Sequence, residues 1–237
     1  MTVQPFPVVF ATGQLLTAEV WAAQVVALDD RTRLFADNGA DDSIAGMARR
    51  LLDAAPERFD LVAHAMGGFV AFELMRTAPG RVRRLALLGT LAPADTPEQN
   101  ARREGYLRLV REGRFAAVVE ERIPILVHPD RRGDDTIIGP VRRMAAQTGP
   151  ERFLAQQRAI MTRLDSRPGL GAIACPVLLI RGREDAIASD AHQQEMLAAL
   201  PAARLATVDA CGHLATLERP EAVNALLRAF LDAAEPG

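Results

Sequence analysis

Asp60-Leu61-Val62-Ala63-His64-Ala65-Met66-Gly67-Gly68 decides the fold of this chain. Leu61–His64 is an apolar run of strand length. A tight turn follows at Ala65. From Met66 onward the residues take helical spacing. A strand, a sharp corner and a helix in immediate succession belong to an α/β architecture.

The same alternation runs outward in both directions. Strand candidates are Val8–Ala11, Arg33–Ala36, Leu61–His64, Leu85–Leu88, Val177–Ile180 and Leu205–Val208, apolar on both faces as buried parallel strands require. Between them lie amphipathic helices. Ile44, Met47, Ala48, Leu51 and Leu52 form one apolar stripe; Val223, Leu226, Leu227, Phe230 and Leu231 form another behind Pro220. From Pro93 to Gly171 no strand-like run occurs. That stretch reads as helices rich in Arg, Glu and Ala, punctuated by Gly113, Pro129, Gly133, Gly149-Pro150 and Pro168-Gly169. The expected architecture is a mostly parallel central sheet flanked by helices. Residues 1–92 and 172–237 would form the core and residues 93–171 a helical cap over the sheet edge.

At 237 residues the chain can bury one large core. Its net charge of −2 argues against a polyanion partner, so no nucleic-acid role is expected. All 28 basic residues are Arg. The doublets Arg49-Arg50, Arg83-Arg84, Arg102-Arg103, Arg131-Arg132 and Arg142-Arg143 are dispersed among acids and read as solvated helix faces. Cys175 and Cys211 suggest no disulfide framework. Met1–Pro7 carries no charged leader, and no stretch reaches membrane-spanning length. A cytoplasmic protein with no membrane partner is the default expectation. An apolar cap face offers a surface for a homodimer. No His/Cys spacing points to a metal, and no cofactor is expected.

Ligand sites on open parallel sheets lie beyond the carboxyl ends of the strands. The segments following the strands are Thr12-Gly13-Gln14-Leu15, Ala65, Gly89-Thr90-Leu91, Gly182-Arg183-Glu184-Asp185 and Cys211-Gly212-His213. A turn glycine, a carboxylate and a histidine therefore meet on one rim around the corner at Ala65.

Ala63-His64-Ala65-Met66-Gly67 resembles the nucleophile elbow of the α/β-hydrolase family, Gly-x-Ser-x-Gly, with Ala in place of the first Gly and of the Ser. Gly182–Asp185 and the run Cys211–Glu221 resemble the family's acid and histidine segments. The order position 65, Asp185, His213 is the family's order of nucleophile, acid and base. The resemblance spans Val8 to Leu231. Two strands that often precede the first are absent.

The resemblance implies a serine hydrolase acting on a small or medium carboxylic ester, or a related acyl bond, through an acyl-enzyme. His213 would be the general base and Asp185 would orient it. Glu184 and Asp190 are rival acids; Asp190 suits a helix start. The oxyanion donors would be the N–H of Met66 and that of Gln14, with Leu15 as the alternative, since this chain has Thr12-Gly13 where the family often has His-Gly. Leu15, Met66, Leu91, Tyr106, Leu109 and Phe115 are candidates for the pocket lining. His64 is expected to pack beneath the elbow, His128 and His192 to be surface or core residues, and Cys211 to be a structural thiol.

Ala65 has two readings. Serine has been replaced in an otherwise intact site, or the protein is a non-hydrolytic member of the fold, binding a ligand or using His213–Asp185 as a base for lyase or oxygenase chemistry. The elbow holds its central residue in a strained conformation costing about 1–3 kcal/mol, and such strain serves to present a nucleophile. A protein without that need would relax the turn or place Gly there. Replacement of serine is therefore the favoured reading, and the chain as it stands is expected to be inactive.

Overall fold

The computed structural model describes residues 5–234. Met1–Gln4, part of the stretch read for a leader, lie outside the described residues, as do the last three. Six strands form one sheet: β1 (Val8–Ala11), β2 (Arg33–Phe35), β3 (Phe59–His64), β4 (Val82–Leu88), β5 (Val177–Gly182) and β6 (Ala203–Val208). Every pairing is parallel and the order is β2-β1-β3-β4-β5-β6. All six expected strands are present.

Several boundaries move: β5 runs on to Gly182, β6 begins at Ala203 and β2 stops at Phe35, and two further shifts have a visible cause. β3 begins at Phe59 and β4 at Val82, because the charged residues there are satisfied rather than strand-ending. Arg83 forms an ion pair with buried Asp60 at 2.6 Å, and Arg84 donates to the carbonyls of Ala233 and Ala234. That doublet is therefore not a solvated face. β2 and β6 are half-exposed rather than buried on both faces, because they are the sheet's edges.

Alternate strand residues feed two cores. Val8, Phe10, Val62, Ala86, Leu88, Leu178 and Ile180 face one; Val9, Ala11, Leu61, Ala63, Leu85, Leu87 and Leu179 face the other. The helices supply the other wall of each. In chain order they are α1 (Ala22–Ala27), α2 (Ile44–Ala54), α3 (Met66–Thr77), α4 (Pro97–Arg111), α5 (Phe115–Leu126), α6 (Asp135–Met161), α7 (Asp190–Ala199), α8 (Ala215–Glu218) and α9 (Pro220–Leu231). α2 starts at Ser43, whose side chain accepts from the Gly46 N–H, and buries Ile44, Met47, Ala48 and Leu51 as its stripe requires. α4 starts with a reciprocal box in which Thr96 and Gln99 cap each other's backbone. Between β4 and β5 the described regular structure is entirely helical, with α6 kinked at Gly149.

The strand order reverses between β1 and β3. The chain leaves β1 toward β2, then returns to place β3 on β1's other side. A crevice opens at that reversal, beyond the strand ends. The loop after β1 and the corner after β3 form its two lips.

Candidate active site

Ala65 sits at the corner between β3 and α3 with φ 50° and ψ −112°, a conformation uncommon for any residue with a Cβ. Three hydrogen bonds hold it. Its N–H donates to Leu88 O at 2.9 Å, and its carbonyl accepts from Thr90 Oγ1 at 2.8 Å and from the Gly68 N–H at 2.9 Å. Gly67 is required by contact: a Cβ there would lie 2.2 Å from Ala11 O. The corner can pack on β1 only without that side chain.

Asp185 follows β5 and His213 follows β6. Both are buried, and His213 Nδ1–H donates to Asp185 Oδ2 at 2.9 Å. Asp185 Oδ1 accepts from the N–H groups of Ile187 and Ala188 at 2.8 and 2.9 Å. Burial raises the Asp185 pKa, but the His213 charge and these hydrogen bonds outweigh it and hold the carboxyl below its usual range. An ionised Asp185 can only accept, so it fixes the proton on Nδ1 and leaves the Nε2 lone pair free. Gly89, at φ 54°, passes so close that a Cβ would lie 3.1 Å from both Asp185 Oδ2 and His213 Nδ1. The position after β4 thus has no room for a rival acid.

The other acids have different work. Glu184 accepts from the Cys211 N–H at 2.9 Å, and Asp190, in the first turn of α7, pairs with Arg181 at 2.6 Å. Glu218 bridges the Gly212 N–H (3.0 Å) and the His128 N–H (2.7 Å), and Leu126 O accepts from the N–H groups of His213 and Leu214, both at 3.1 Å. The histidine loop is thereby tied to the end of α5. His64 lies beneath the corner, its Nε2–H donating to His213 O at 3.0 Å. Burial, then the nearby His213, pushes its pKa down to about 3. Cys211 is buried, and burial pushes its thiol up to about 12, so no thiolate stands there at neutral pH.

Ala65 and His213 open on one cavity of about 420 Å³, whose walls also include Gln14, Met66, Leu91 and Tyr106. Leu15 does not line it. Its side chain packs into the core and its N–H donates to Gln156 Oε1 at 3.1 Å; Leu16 takes the wall position. Leu109 and Phe115 pack against the core instead. Gln14 Nε2 and Oε1 are enclosed without partners among the described residues.

Sequence reasoning missed two groups. Ser189 and His192 line the cavity and bond to each other, Oγ to Nδ1, at 3.0 Å. Arg102, Arg103, Arg122 and Arg163 also line it; within the Arg102-Arg103 doublet Arg102 is exposed, as a solvated face requires, whereas Arg103 is half-buried and paired with Asp95. The missed signal is spacing: Gln99, Arg102, Arg103 and Tyr106 fall at i, i+3, i+4 and i+7, one polar face of α4 turned inward. No cluster of three or more His, Cys, Asp or Glu suited to a metal, and no helix long and apolar enough to cross a membrane, occurs among the described residues.

Comparison with known proteins bears on the family and the fold. The chain is 28% identical over 251 residues to a candidate carbamate hydrolase, RutD, of Azorhizobium caulinodans, covering 94% of this chain and 90% of that one. It is 28% identical over 226 residues to a pimeloyl-[acyl-carrier protein] methyl ester esterase of Nitrosomonas europaea, covering 88% and 89%. The malate-bound structure of a thermophilic esterase from Thermogutta terrifontis superposes with a TM-score of 0.87 at 27% identity, covering 97% and 90%. Residues 8–226 match the model of the alpha/beta hydrolase family, and the chain belongs to that family.

Proposed function

We propose that this chain carries the site of a serine-type carboxylic-ester hydrolase from which the attacking oxygen is missing, and that it binds substrate without turning it over. The observation that supports this best is the buried His213–Asp185 pair opening on the same cavity as a strained corner whose central residue lacks only Oγ. With serine at position 65, Oγ would attack the ester carbonyl carbon while His213 Nε2 takes its proton. The proton would pass to the alcohol as the C–O bond breaks, leaving an acyl-enzyme that water hydrolyses by the same exchange. The N–H groups of Met66 and Gln14 would stabilise the tetrahedral oxyanion. Gln14 is preferred to Leu15 because the Leu15 N–H is taken by Gln156. The unpartnered Gln14 side-chain amide is available to a polar group of the substrate.

The relatives support the class. One is named an esterase of a methyl ester, and another a candidate carbamate hydrolase, so carbamates belong in the substrate panel. The test is Ala65→Ser, assayed beside the unaltered chain on activated esters of graded acyl length. Loss of a triad serine costs about 10⁶ in kcat in subtilisin, so a gain of several orders of magnitude is expected. The gain should survive Ser189→Ala, which removes the other hydroxyl paired with a histidine on this wall. Ala65 itself favours a second reading, a ligand-binding or base-only protein. Under it, both proteins would stay inert toward esters, thioesters and lactones while a small ligand still bound, or the unaltered chain would turn over a substrate and lose that turnover in His213→Ala.

A further inference from the structure

The cap side of the cavity carries more positive charge than its own acids can neutralise. Asp95, buried, serves two arginines at once. Arg163 Nη1 lies 2.7 Å from its Oδ1, and Arg103 Nε bonds its Oδ2. Arg163 also donates to Ile160 O and Pro93 O, and Arg103 to Gln157 Oε1 at 3.0 Å. Those two cations have an ion-pair partner, although Arg163 Nε is itself enclosed without a hydrogen bond. Arg122 has none among the described residues.

Arg122 is held by aromatic faces, its guanidinium carbon 5.8 Å from the ring centres of both Tyr106 and Phe153. Among the described residues it makes no hydrogen bond and no ion pair, and its Nε is enclosed without a partner. Glu121, its chain neighbour, accepts from Tyr106 Oη at 3.3 Å instead. Ring contacts attract a cation but leave the in-plane N–H donors empty. Burial, then repulsion from Arg103, pulls the Arg122 pKa down to about 10, so the group stays charged at neutral pH in surroundings that disfavour the charge. Arg122 is half-buried in the cavity wall, and a cation held there without an ion-pair partner is completed most favourably by an anionic ligand.

We propose that Arg122 is an anion-recognition residue of this pocket, and that the substrate carries a free carboxylate reaching the cap as well as the acyl bond at position 65. A planar guanidinium with open donors matches a carboxylate in a two-point fork. Asp95 sets one negative charge against Arg103 and Arg163, and Arg122 and Arg102, the latter one α-helical turn before Tyr106, add two more cations, so the four arginines lining the cavity exceed its one carboxylate by three. That charge suits a small carboxylate. The proposal rests on reading this cavity as the substrate pocket.

Binding to the unaltered chain tests it without requiring turnover. The probes are monomethyl esters of straight-chain C4–C8 dicarboxylic acids, with the dimethyl esters as neutral controls and O-acetyl hydroxy acids carrying the carboxylate on the alcohol side. Calorimetry should show one charged series binding about 10- to 100-fold more tightly than the neutral esters, with the preference lost in Arg122→Gln and partly kept in Arg122→Lys. Circular dichroism and a thermal melt close to those of the unaltered chain show that both variants fold, and the charged-to-neutral affinity ratio within each variant is the readout. Equal affinity for charged and neutral probes, or a preference that survives Arg122→Gln, overturns the proposal. If charged probes bind through Arg122 but Ala65→Ser hydrolyses no ester, the subsite stands and the hydrolase reading falls. If the variant hydrolyses neutral and charged esters alike, the reverse holds.

Discussion

Ala65 keeps a backbone conformation that nothing in its own side chain needs, at φ 50° and ψ −112°. Strain of this kind costs about 1–3 kcal/mol. Ala65→Gly should therefore stabilise the protein or leave it unchanged, despite glycine's greater entropy loss, and a thermal melt measures the difference. In the Ala65→Ser background, Asp185→Asn should lower kcat by up to about 10⁴, the loss seen for the corresponding change in a serine protease, because Asn no longer fixes the His213 tautomer. His64 sets an acid limit on stability. Its folded pKa, about 3, lies below the unfolded value of 6.5, so the folded state binds fewer protons between them. Stability is full above about pH 6.5 and falls by up to about 1.4 kcal/mol per pH unit below it. His64→Gln should flatten that slope in urea titrations at pH 5 and 7. Position 65, Asp185 and His213 were legible in the sequence because each follows a strand in a fixed order. Arg122 and the Ser189–His192 pair were not, because a polar residue on a helix looks the same whether its face meets water or a closed cavity.

At the scale of elements, apolar runs revealed all six strands, but their ends depended on partners distant in sequence. Asp60 and Arg83 look like strand breakers until they meet across 2.6 Å. The helical stretch was equally visible, from its missing strand signals and its Gly and Pro punctuation. Gly149-Pro150 reads as a break, and the structure breaks there: the two helical halves of α6 meet at Gly149, which is non-helical at φ 73° and ψ 171°. Only glycine holds that conformation cheaply. Gly149→Ala should cost about 1–3 kcal/mol and lower the melting temperature, whereas Gly139→Ala, at a helical glycine with open space around its Cα, should raise it slightly. Equal effects from the two changes would show that the kink is not rigidly specified.

Across the whole molecule, sheet and helical stretch share one core. Phe10, Leu88 and Ile180 of the strands belong to the same buried cluster as Val118, Met144 and Phe153 of α5 and α6. The helical stretch is also pinned to two loops that border the cavity, by Gln156 at the loop after β1 and by Leu126 at the histidine loop. Sheet and helices should therefore unfold together, in one urea transition seen alike by circular dichroism and by the fluorescence of buried Trp21. The central claim is that the cavity is a hydrolase site lacking one oxygen atom. Its most direct test is to treat the unaltered chain and Ala65→Ser with a fluorophosphonate and weigh the intact proteins and their peptides. The account predicts one stoichiometric adduct, on the peptide carrying position 65, in the variant alone, formed far more slowly when His213→Ala is added. A variant that melts like the unaltered chain yet takes no label, or equal labelling of both proteins, would contradict it.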